Sequence, residues 1–125
     1  MRDVKRAMTI AEHFARNPKD NPLLVTVLAL FGKFREMFVI NYLRWQSRHK
    51  QVPFPSDPEL MGLAKINNIY ALKEAKELSA QWQNSKVFAV LGLLREYDAK
   101  SKGVNAGGAT EGELLRELLL KIFMQ

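Results

Sequence analysis

Arg44, Trp45, Arg48, His49 and Lys50 crowd cations around an aromatic ring, with Tyr42 just upstream. Guanidinium and ammonium groups neutralise phosphates and exposed rings stack on bases, so these residue types point to nucleic acid. The same residues also fit a plainer role, in which Trp45 ends an apolar stripe and the basic side chains form its solvated rim. A recognition helix is usually short and follows a tight turn, whereas this cluster closes a long helix, which argues against sequence-specific readout of DNA. The candidate nucleic-acid residues are therefore Arg44, Trp45, Arg48 and Lys50.

Other chemistry is sparse. The chain has no Cys, which removes thiolate catalysis, disulfides and Cys-based metal sites. His13 and His49 lie on separate elements, with no carboxylate or second histidine at metal-ligand spacing. Glu74/Glu77 and Glu113/Glu117 share helix faces, but acid and base work needs an environment that separates their pKa values. No Walker-type G-x-x-x-x-G-K-[ST] run is present, and Gly103, Gly107 and Gly108 follow a helix rather than a strand, so they read as a turn. Trp82 and Tyr97 fall at helical spacing from aliphatic neighbours and are expected in the core rather than against a ligand. The residues offer no catalytic group, cofactor site or metal site, and the chain is not expected to be an enzyme.

These side chains sit in 125 residues of globular composition, 47% hydrophobic and 26% charged, enough for one ordinary domain. Nineteen Lys plus Arg oppose thirteen Asp plus Glu, a formal charge of +6 that favours anionic partners, although acidic residues are interspersed, as in Lys73/Glu74/Lys76/Glu77. The opening residues have no apolar signal-peptide core. The most apolar run, residues 23–31, is about half a bilayer span and ends at Lys33, Arg35 and Glu36. A cytoplasmic, non-membrane location is the expectation.

The elements that must carry these residues are all helical. Ala7, Ile10, Ala11 and Phe14 predict a helix over residues 4–16; its start lacks an N-cap, as though the natural polypeptide continues upstream. Asn17 to Pro22 stop it, and Asn21 with Pro22 can open the next. From about 22 to 47, Leu24, Val27, Leu28, Phe31, Phe34, Phe38, Tyr42 and Trp45 recur at three and four, predicting one broad apolar face on a helix roughly 37 Å long. A proline-rich loop follows over residues 47–58. Asp57 and Pro58 are expected to cap a short helix to about Ala64, and Asn67 or Asn68 the next, with Ile69, Leu72, Ala75, Leu78 and Trp82 inward. Asn84 or Ser85 should cap another, with Val87, Val90, Leu91, Leu94 and Tyr97 inward, Lys86, Arg95, Asp98 and Lys102 outward, and Gly103 as its left-handed ending. Thr110 and Glu113 form a capping box ahead of a Leu-rich helix. Leu114, Leu118, Ile122 and Phe123 of that helix either dock inside the same bundle or form an interface with a neighbour. No segment shows strand alternation. The expected fold is an all-α bundle of five or six helices.

Several blocks resemble the C-terminal domain of the delta subunit of bacterial DNA polymerase III, the clamp-loader subunit, in its Bacteroides-type version. They are Ile10-Ala-Glu-His-Phe-Ala-Arg-Asn-Pro-Lys-Asp-Asn-Pro-Leu23, Leu30-Phe-Gly-Lys-Phe34, Tyr42-Leu43, Leu93-Leu-Arg-Glu-Tyr-Asp-Ala-Lys-Ser-Lys-Gly-Val-Asn105 and Glu113-Leu-Leu-Arg-Glu-Leu118. Met61-Gly62-Leu63 and Ala71-Leu72-Lys73-Glu74 look like the family's turn and following helix, while residues 51–59, with their prolines, depart from the pattern. The motif residues are Asn17, Pro18, Lys19, Asn21, Pro22, Arg95, Tyr97, Asp98, Lys100, Lys102 and Gly103. The resemblance implies a collar-like helical domain over 17–125, with 1–16 a linker helix leading from AAA+-like domains. Such a domain packs with equivalent domains of the other clamp-loader subunits. Contact with the sliding clamp belongs to the N-terminal domains, which these residues do not include. It thus implies a scaffold in DNA replication, part of the polymerase III holoenzyme with no catalytic site or cofactor of its own. A small helical nucleic-acid-binding protein using Arg44 to Lys50, or a plain helical adaptor, are the alternatives.

Overall fold

The computed structural model describes residues 23–103 and 107–125; among them the chain is all α, a bundle of five helices with no strand. These are α1 (Leu23–His49), α2 (Asp57–Ala64), α3 (Ile69–Gln81), α4 (Asn84–Ser101) and α5 (Glu111–Phe123). The helix expected over 4–16, the cap at Asn21 and Pro22, and the motif residues Asn17, Pro18 and Lys19 lie outside the described residues. Two compact units divide the chain: Gly32–Phe88, and a second whose described part is 23–31, 89–103 and 107–125.

Local sequence explains most helix ends. α1 stops ahead of Gln51, whose φ is 54°, and Pro53 and Pro55 prevent its resumption. The His49 ring also donates from Nδ1 to the Trp45 carbonyl at 3.1 Å, one turn back on the same helix. α2 begins one residue earlier than expected: Ser56 is the N-cap residue and Asp57 lies in the first turn. Ser56 does not cap with its side chain; its hydroxyl donates to Glu59 at 3.1 Å, and Asp57 pairs with Lys76 at 2.6 Å. Lys65 ends α2 in the left-handed region, and the Ile66 N–H reaches back to the Met61 carbonyl at 2.8 Å, a Schellman-type closure. Asn68 caps α3, accepting from the N–H groups of Tyr70 at 2.7 Å and Ala71 at 3.2 Å.

The expected cap of α4 is corrected. The Gln83 carbonyl accepts from Lys86 and Val87, both at 3.0 Å, while the Asn84 amide donates to the Phe38 carbonyl of α1 at 3.3 Å. A side chain engaged on α1 is drawn away from its own helix start. Gly103 closes α4 at φ 91°, where any side chain would be strained. At the start of α5 the Thr110 hydroxyl accepts from the Glu113 N–H and the Glu113 carboxylate accepts from the Thr110 N–H, each at 3.2 Å. The capping box is complete.

In the 32–88 unit, Ile40 of α1 meets Leu60 and Ala64 of α2, Ile66, and Leu72 and Ala75 of α3, with Val39, Leu43, Met61 and Ala71 packed around them. Phe34 meets the edge of Trp82 at 5.2 Å and 87°, the T-shaped geometry that aromatic quadrupoles favour. In the other unit the buried hydrophobic side chains are Leu23 and Val27 of α1, Val90, Leu94 and Tyr97 of α4, and Leu114, Leu115, Leu118, Leu119 and Ile122 of α5. The inward face predicted for α4 is thus the one observed, apart from half-buried Leu91.

On α1 the predicted face is observed in part: Val27 and Phe34 are buried as predicted, and Leu24 and Phe38 are half buried. The buried hydrophobic residues are Leu23, Val27, Phe34, Met37 and Ile40, while Leu28, Phe31, Tyr42 and Trp45 are exposed. Burial does not follow a single stripe: Phe31 stands four residues after buried Val27 and three before buried Phe34, and Trp45 lies five full turns beyond Val27, yet both are exposed. Apolar residues run around more than one side of this helix, so spacing by itself cannot decide which are covered; the packed partners do.

Candidate functional site

The last two turns of α1, with Lys50 just beyond them, carry the basic and aromatic residues singled out above, all within the 32–88 unit. Tyr42, Trp45 and His49 recur at three and four and therefore share one helix face. Their rings form a tier: Tyr42 and Trp45 stack with centroids 6.2 Å apart and planes 20° apart, and Trp45 and His49 at 5.2 Å and 25°. Lys50 places its ammonium 5.9 Å from the Trp45 ring centroid. Tyr42 is 47% exposed and Trp45 44%.

Arg44 belongs to a different environment from its neighbours. Its guanidinium donates to Ser79 Oγ at 2.8 Å, to the Lys76 carbonyl at 3.1 Å and to Asn41 Oδ1 at 3.3 Å. Burial lowers its pKa, and neighbouring Arg48 lowers it further. It is a tie between α1 and α3, not part of a solvated rim. Arg48, His49 and Lys50 are exposed. Of the four candidate nucleic-acid residues, the structure keeps Trp45, Arg48 and Lys50 on the surface and commits Arg44 inward.

A groove of about 750 Å³ runs beside this face. One wall is α1 from Asn41 to Arg48, and the other is the end of α3 and the turn into α4, from Ser79 to Asn84. The second wall has no counterpart in the sequence reading, because it comes from residues some forty positions away that carry no charge signal of their own. One trace was available: residues 37–56 and 79–86 contain no Asp or Glu, so both walls lack carboxylates. A smaller hollow of about 290 Å³, formed by Arg44, Ser47, Arg48 and Phe54, shares both arginines.

In the other unit, Tyr97 and Lys100 among the motif residues of α4 meet Glu117 and Lys121 of α5. The Tyr97 hydroxyl donates to Glu117 Oε1, and the buried ring has the ammonium of Lys100 4.4 Å and that of Lys121 5.2 Å from its centroid. Lys121 also pairs with Glu117 at 3.2 Å, and Lys100 stands 3.7 Å from Glu117 and 3.8 Å from Glu96. Burial raises the Tyr97 pKa, with the Glu117 bond adding to it. The bond from Tyr97, followed by that from Lys121, holds the Glu117 carboxyl below its ordinary range, and the nearness of Tyr97, followed by that of Glu117, raises the Lys121 ammonium. Asp98 pairs with Lys102 at 3.4 Å. Arg95 and Asp98 line a groove of about 220 Å³ with Val27, Leu28, Phe31 and Leu94.

The candidate interface on the last helix has an intramolecular destination. Leu114, Leu118 and Ile122 are at most 4% exposed, covered by their own chain, and Phe123 is half buried. Trp82 and Tyr97 are core residues, as expected. Among the described residues no group of three or more His, Asp and Glu side chains could hold a metal, and no helix is long and apolar enough to cross a membrane. No family model matches the chain, and no curated protein or solved structure does either.

Proposed function

We propose that the chain is a helical scaffold domain of a replicative clamp loader, acting as the delta-subunit collar that its sequence blocks resemble. The observation that carries this reading is apolar surface left uncovered in the unit that holds the α4 motif residues. Leu28 is 59% exposed and Val25 60%, and Leu28 and Phe31 flank the groove that Arg95 and Asp98 of the motif border. A helix from a neighbouring domain would bury these side chains while Arg95 and Asp98 supply a polar rim, the usual anatomy of a specific interface.

The contact between the blocks supports the same reading. Tyr97 and Lys100 of one block hold Glu117 of the other, so residues that stand apart in sequence form one structural clasp. In this account the motif sets the shape of a docking domain, and movement and ATP chemistry belong to other parts of the machine. Co-expression with the C-terminal domains of the other clamp-loader subunits tests the reading: Leu28→Asp should abolish co-purification while leaving the melting temperature unchanged. Co-purification that survives Leu28→Asp and Phe31→Asp together would place the interface elsewhere.

A further inference from the structure

We propose that the groove between the last turns of α1 and the α3–α4 turn binds single-stranded nucleic acid, with Arg48 and Lys50 on phosphates and bases extending the ring tier that Trp45 builds with Tyr42 and His49. This gives the basic cluster a definite ligand and does not depend on the collar reading.

Charge is the first argument. Neither wall contains a carboxylate, whereas Arg44, Arg48 and Lys50 lie on or beside the groove. A surface of one sign beside a low-dielectric wall concentrates anions. Because Arg44 is pinned by three hydrogen bonds, it adds fixed positive charge to the floor at no further ordering cost, and the exposed Arg48 and Lys50 can follow a flexible backbone.

Ring geometry selects the form of nucleic acid. Three rings on one helix face, with adjacent planes 20° and 25° apart, make a platform that a planar base can extend from its outer rings, and such stacking tolerates any base. In a duplex the base faces are already stacked on one another, so exposed rings gain nothing from it. An acidic peptide would use the cations and leave the tier idle. The adjoining hollow at Ser47 and Phe54 continues the groove past the same two arginines, as a strand longer than one nucleotide requires.

The test is fluorescence anisotropy of labelled oligo(dT) of about twenty nucleotides titrated with the 125-residue protein at several salt concentrations, with a hairpin duplex and polyglutamate as competitors. The expected result is salt-dependent binding that the duplex and polyglutamate compete for poorly. Trp45→Ala should weaken it about tenfold or more, and Arg48→Ala should reduce the slope of log affinity against log salt by about 0.7. Both residues are on the surface, and matching melting curves would show the variants folded. Absence of binding, equal affinity for both variants and wild type, or preference for duplex or polyglutamate would each overturn the proposal.

Discussion

Tyr97→Phe removes a single hydroxyl and asks whether the phenol, as well as the ring, holds α5 in place. The ring is fully buried, and Phe preserves both its packing and its proximity to Lys100 and Lys121. What disappears is the bond to Glu117. A hydrogen bond to a charged acceptor contributes about 1.5–3 kcal/mol. Glu117 is 48% exposed and also paired with Lys121, so water and that ammonium compensate, and we expect about 1–1.5 kcal/mol at neutral pH. For a chain of this size that lowers the melting temperature by about 3–8 °C. Tyr97→Ala, which also empties the ring's volume, should cost about 3–5 kcal/mol. Thermal and urea melts followed by circular dichroism measure both. The pH dependence adds a sharper signature. A carboxyl whose folded pKa is depressed contributes stability that is fully present above its ordinary value of about 4.3 and is lost as pH falls through the lower folded value. The gap between wild type and Tyr97→Phe should therefore shrink as pH falls from about 6 to about 3. A Phe variant as stable as wild type at neutral pH, or a gap that ignores acid, would refute the reasoning.

The remaining predictions concern other supports of the fold. Leu118→Asp puts an unpaired carboxylate at a fully buried position; the expected loss of about 4 kcal/mol or more is comparable with the whole stability of a small domain, and an unchanged melting curve would reject the role given to α5. Thr110→Ala breaks the capping box and should cost about 1 kcal/mol in urea melts, most of it recovered by Thr110→Ser. Arg44→Ala strips three partners in α1 and α3 for about 1–3 kcal/mol, and Arg44→Lys should fail to restore it, because one ammonium cannot reproduce the spread of a guanidinium.

How far the sequence spoke for the structure depended on the range of the interaction. Local chemistry was legible. The Thr110/Glu113 box, the Asn68 cap and the left-handed Gly103 each follow from residues within a turn or two of one another, and the inward face of α4 follows from one unambiguous stripe. Local expectations failed where a distant element intervened: Asn84 reaches α1, and the neighbours of α1 cover Val27 and Phe34 while leaving Phe31 and Trp45 exposed. The site divides in the same way. Trp45, Arg48 and Lys50 could be named from their spacing, but the inward turn of Arg44 and the wall from Ser79 to Asn84 depend on how α3 packs against α1. The clasp of Tyr97 with Glu117 joins two blocks that were each recognisable, yet nothing in either block specifies the other as its partner.

The central claim, a scaffold that holds clamp-loader subunits together, is tested most directly by size-exclusion chromatography with light scattering. The 125-residue protein would be mixed at moderate salt with the C-terminal domains of the other clamp-loader subunits. The account predicts a stoichiometric complex whose mass is the sum of its members and which Leu28→Asp dissolves. A folded protein that elutes at its own mass beside those domains would contradict it.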